Sequence, residues 1–139
     1  MNATSASAYR RQHGEIQAAI GALSDLLRAH DAASRAFDIR VALNDLSSKV
    51  SDHLTLEDRV LYPKLMNHDD ARVRAAVEGL RGELGGLHMV CDHYFQAWSN
   101  VTAIATRFRA FRSETRVMLA RLQEQMRRED EVLAPVLEQ

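Results

Sequence analysis

His53 and Glu57 stand four residues apart in the run DHLTLEDRVLYPKL. On a helix that spacing is one turn, so the two side chains share a face. Both occupy positions where a buried helical stripe calls for an apolar residue. A histidine and a carboxylate facing inward together can ligate one metal ion through a ring nitrogen and a carboxylate oxygen. Burying them without a partner is costly. A hydrogen bond between turn neighbours is the plain alternative for the pair taken alone.

The elements that must position this pair follow from apolar residues at helical spacing. A first stripe runs Tyr9, His13, Ile16, Ile20, Leu23, Leu27. A second runs Ile39, Leu43, Leu46, Val50, His53, Glu57, Val60. A third runs Ala76, Leu80, Glu83, Leu87, Val90, Tyr94, with Leu84, Cys91 and Trp98 on its flank. A fourth runs from Ile104 through Phe111, Met118, Leu122, Gln125 and Glu129 to Val136. Breaks are expected near 30–35, 67–70 and 99–102, with Asp70 and Asn100 as N-caps. Pro63 and Pro135, the only two prolines, should kink or end the second and fourth helices. Four long helices with short links predict an all-α fold, an antiparallel up-down four-helix bundle, in one domain spanning 1–139.

Six polar residues fall on these stripes: His13, His53, Glu57, Glu83, Gln125 and Glu129. In an antiparallel pair, residues at one height are equidistant from the connecting turn. Midpoints between successive polar positions fall at about residues 34, 69 and 105, within the boundary error of the three breaks. The polar residues therefore share one layer. Metal sites in helical bundles are built by side chains from facing helices in this way.

Composition narrows the function classes. The 139 residues carry a net charge of −1, which gives no field for nucleic acid or anionic lipid. No apolar run approaches the roughly 20 residues that span a bilayer. The stretch MNATSASAYRRQHGE lacks an apolar signal-peptide core. One cysteine, Cys91, has no internal disulfide partner, and a cytoplasmic location is expected.

With these residues in place, the chain resembles the hemerythrin-like, or HHE cation-binding, family over essentially its whole length. His13 matches that family's first-helix histidine. His53, Glu57 and the Leu61-Tyr62-Pro63 ending match its second-helix motif. Glu129, followed by Leu133-Ala134-Pro135, matches the fourth-helix carboxylate and ending. The resemblance implies a four-helix bundle with non-haem iron inside, mononuclear or dinuclear. One iron of the family's pair would take His13, His53, Glu57 and Glu129. The other half departs from the pattern, with Glu83 and Gln125 where histidines stand. A neutral amide is a poor transition-metal ligand beside imidazole.

Three site models remain open. One is a single metal on His13, His53, Glu57 and Glu129. Another is a carboxylate-rich dinuclear site in which Glu83 replaces imidazole. The third is a vestigial site without a physiological metal. His88 is the rival to Glu83 on the third helix, and Gln125 can hydrogen-bond a ligand carboxylate instead of touching metal. Asp130 and Glu131 are expected to point outward. Met66, Met89, Met118 and Met126 read as core or near-core filler.

The implied role is to sense or handle dioxygen, nitric oxide or iron. Carboxylate-rich ligation favours this over reversible dioxygen carriage. A metal-free interaction protein or homodimer is the alternative, with Phe108 and Phe111 between Arg107, Arg109 and Arg112 as one candidate face. Turnover is not predicted, since no nucleophile–base pair appears.

Overall fold

The structure, a computed structural model, describes residues 3–137. All of its regular elements are helical. They are α1 (Ala3–Arg28), α2 (Ala36–Leu56), α3 (Tyr62–Leu65), α4 (Ala71–Ala97), α5 (Val101–Thr106) and α6 (Phe108–Leu137). A 3-10 turn at Ala32–Arg35 leads into α2, and a π turn at Glu57–Leu61 joins α2 to α3. No described helix is long and apolar enough to cross a membrane.

Two helix starts, those of α4 and α5, follow ordinary capping chemistry. The Asp70 carboxylate accepts the Arg72 backbone N–H, and the Asn100 side chain accepts those of Thr102 and Ala103. These bonds satisfy donors that have no partner inside the helix. The fourth rod differs from the expected single helix. It breaks at Arg107, which leaves helical geometry at φ −119°, ψ 39°. The Arg107 guanidinium lies 5.1 Å over the buried Trp98 ring. That long-range stacking has no local sequence signal.

Pro63 acts as expected in kind but not in place. The chain widens into the π turn one turn before it, with Tyr62 N–H reaching back to the Glu57 carbonyl. Proline offers no N–H to the carbonyl four residues earlier and crowds it, and an inserted residue relieves that crowding. The insertion shifts the inward face by one position. Leu61 is wholly buried, while Val60, expected on the stripe, is only partly so.

On α4 the buried stripe is Val77, Leu80, Leu84, Leu87, Cys91 and Tyr94, continued by Trp98 at its C-cap. Ala76, Glu83 and Val90 face outward, contrary to the sequence reading. The two stripes share Leu80, Leu87 and Tyr94, so helical spacing alone does not choose between them. Burial does: Leu84 and Trp98 remove far more apolar area from water than Ala76 and Val90, at about 25 cal/mol per Å².

Two apolar clusters fill the interior. One includes Ile16, Val50, Leu87 and Met126. The other includes Tyr9, Leu61, Leu84 and Leu133. On α1 the changeover between them falls at His13, along α2 and the π turn at His53 and Glu57, and on α6 at Glu129. On α4 it falls at Gly85 and Gly86. A Cβ at either glycine would meet nothing within 4 Å, so no close helix crossing requires them.

Candidate metal centre

His13, His53, Glu57 and Glu129 are all buried, and Glu57 is 0% exposed. One ligand atom from each lies within 4.8 Å of every other. The two rings face each other through Nε2 atoms 3.1 Å apart. His53 Nε2 is also 2.5 Å from Glu57 Oε1 and 3.1 Å from Glu129 Oε1. Glu129 Oε2 lies 3.6 Å from His13 Nε2.

This arrangement is awkward for hydrogen bonding and suited to a cation. His53 Nε2 faces three potential acceptors at once, and a single N–H can reach one of them. Its other nitrogen, Nδ1, lies 3.0 Å from Gln12 Oε1, an atom that can only accept. Nδ1 therefore carries the hydrogen, and in the neutral ring Nε2 presents a lone pair to two carboxylates. His13 Nδ1 lies 3.1 Å from Asp130 Oδ1 without hydrogen-bond geometry, and its Nε2 is turned inward. Glu57 Oε1 is buried without a hydrogen-bond partner. Among the described residues no lysine or arginine pairs with Glu57 or Glu129. A divalent ion at the centre would satisfy both lone pairs and neutralise both carboxylates, so the donor set fits a metal.

A family model described as the hemerythrin HHE cation-binding domain matches residues 4–137. The chain belongs to the hemerythrin HHE cation-binding family. No curated protein and no solved structure matches it.

In this hemerythrin-type domain, surrounding residues hold the candidate ligands in place. The Tyr62 hydroxyl donates to Glu57 Oε2 at 3.2 Å, across the π turn. The Tyr9 hydroxyl donates to Asp130 Oδ1 at 2.8 Å. Burial first, and then the Glu129 charge, push the Tyr9 phenol far above its ordinary value. Burial and then the Asp58 charge do the same for Tyr62. Both remain donors. Burial works to raise the Glu129 carboxyl, but hydrogen bonds and charge from His13 and His53 in their protonated form outweigh it and hold it below its usual range. Outer partners of this kind fix ring tautomer and orientation in metal sites.

The other sequence candidates lie apart from the cluster. Glu83 sits on the outer face of α4, where both carboxylate oxygens pair with Arg128 at 3.2 Å. The rotation of the buried stripe removes it from the layer. His88 replaces it as the inward-facing third-helix residue, which reverses the sequence ranking. His88 and Gln125 are partly buried and line a 20 Å³ cavity beside His53 and Glu129. Each has a buried Nε2 without a partner. Asp130, expected to point outward, is half-exposed yet reaches His13. Gln12 was missed as well; its one legible signal is adjacency to His13. For Tyr9 the signal was its own stripe position, one turn before His13.

Proposed function

We propose that this domain holds one iron ion among His13, His53, Glu57 and Glu129, and that it senses or handles dioxygen, nitric oxide or iron itself. The observation that carries this reading is the convergence of four buried ligand atoms, with the outer nitrogen of His53 hydrogen-bonded to Gln12. We place them in an antiparallel up-down four-helix bundle, with α2 to α3 as the second rod and α5 to α6 as the fourth. In support, residue numbers rise along α4 as they fall along α6 in the contacts Glu83–Arg128, Cys91–Met118 and Trp98–Glu114.

Iron held here supplies redox chemistry and an affinity for small diatomic ligands. The protein's own part is to orient and to exclude water. Tyr62 fixes one oxygen of Glu57 and leaves the other for the ion. Gln12 holds the His53 imidazole with Nε2 toward the ion, and the Asp130 carboxylate stands 3.1 Å from His13 Nδ1. Ile16 and Met126 on one side, and Leu61 and Leu133 on the other, keep bulk water from the layer. Two carboxylates with two imidazoles favour the ferric state, which supports sensing, iron handling or peroxide chemistry over reversible carriage. At the neighbouring position, Gln125 offers a neutral amide, a weak ligand, which supports one ion and not two. A reducing cytoplasm is the compartment we assign, since Cys91 is a buried free thiol.

Protein purified without oxygen and loaded with ferrous iron should carry about one ion per chain, and His53→Ala close to none. Equal iron in both would put the metal elsewhere. A stable, reversible oxygenated spectrum on air exposure would overturn the preference for sensing over carriage.

A further inference from the structure

An exposed apolar groove lies away from the polar layer, between α4 and α6. Met89 is 77% exposed and Val117 62% exposed, and Val90 beside them is also open to solvent. With Tyr94 and Ala97 they line a groove of 650 Å³. Contiguous open apolar surface of this sort marks an interaction site more often than chance exposure does. The charges at its rim indicate what covers it.

Glu114 and Arg121 both line the groove, at opposite ends. They are seven residues apart on α6, so they share one face about 10.5 Å apart along the axis. Their midpoint is at Val117. On α4, Val90 and Ala97 are likewise seven apart, with a midpoint beside His93. Cys91–Met118 and Trp98–Glu114 contacts bracket these two midpoints and put them at one height. A two-fold axis through that point, perpendicular to both helices, would set Glu114 of one copy against Arg121 of the other, twice. It would also set bulky Met89 and Val90 over small Ala97. Arg121 pairs with no carboxylate among the described residues. Glu114 uses Oε2 to accept the Trp98 indole N–H, which leaves Oε1 for a partner.

We infer that the α4–α6 groove is the interface of a homodimer, closed by a two-fold axis between His93 and Val117. An isologous contact needs a surface complementary to itself, and both charge and bulk alternate here as that symmetry requires.

The test is the mass of the iron-loaded full chain by light scattering at micromolar concentration, followed across a dilution series. The expected mass is twice 15.7 kDa. Val117→Glu places two like charges at the axis on an already exposed residue, so the fold should persist. It should weaken dimerisation at least about a hundredfold, with helix content and iron content unchanged. Arg121→Glu and Glu114→Lys should each weaken the dimer alone, and mixing the two should restore it as a heterodimer. A monomeric wild type would overturn the inference. So would a dimer indifferent to Val117→Glu, or a mixture that fails to recombine while both variants remain folded.

Discussion

Replacing Glu57 by glutamine should stabilise the metal-free protein and abolish its response to iron. Glu57 is completely buried, and one of its oxygens has no hydrogen-bond donor. Among the described residues no lysine or arginine pairs with it, and the nearby rings of His53 and His13 carry charge only when protonated. A glutamine of the same shape keeps an oxygen for the Tyr62 hydroxyl and turns its NH₂ toward His53 Nε2. It removes a buried charge and supplies a donor where one is lacking. Relief of such a group is worth about 1–3 kcal/mol. For a chain of 139 residues that raises the unfolding midpoint by roughly 4–12 °C. Ferrous iron at a thousand times its dissociation constant should stabilise the wild type by about 4.1 kcal/mol, and the variant not at all. Anaerobic thermal melts of both proteins, with chelator and with iron, read all four states. The order of midpoints should invert on adding iron. A variant that melts below the wild type in chelator would refute the reasoning. Glu57 would then be the anionic half of a structural ion pair with His53, and the ligand assignment would fall with it.

Three further outcomes are expected. Gln125→His should raise bound iron from about one toward two ions per chain, because it places an imidazole beside His88 in the small cavity; elemental analysis reads this. Glu83→Ala should leave iron content unchanged, since its carboxylate pairs with Arg128 on the surface; lost iron would return Glu83 to the site. Glu129 has its carboxyl held below the ordinary value of 4.5, so in the metal-free protein it contributes stability above that pH. That contribution disappears as pH falls through the lowered value, and Glu129→Gln should unfold less steeply in acid melts.

Much of the site was legible because the chemistry of burial is local. A histidine and a carboxylate one turn apart on an apolar stripe have few inexpensive explanations. The fold-back midpoints tie His13 and Glu129 to them from residue spacing alone. The changeover between the two apolar clusters falls at these same residues. The third helix was misread because its two overlapping stripes share three residues. The choice between them rests on volumes packed from other helices, which spacing does not encode. That one-step rotation misplaced Glu83 and hid the exposure of Val90; Met89, read as filler, proved to lie on the same open surface. The π turn before Pro63 and the break at Arg107 were invisible for a related reason. Each is settled by a distant contact or by relief of crowding, and neither changes residue type in a way a local pattern detects. Asp130 was dismissed by register, yet a side chain at the edge of a stripe can still reach a ring nitrogen.

Anomalous diffraction at the iron edge, from crystals of anaerobically loaded protein, tests the central claim most directly. The expected map has one peak per chain, enclosed by His13 Nε2, His53 Nε2 and carboxylate oxygens of Glu57 and Glu129. A second peak about 3.5–4 Å away, beside His88 and Gln125, would contradict the single-ion reading. A peak elsewhere, or none with iron in excess, would contradict the site itself.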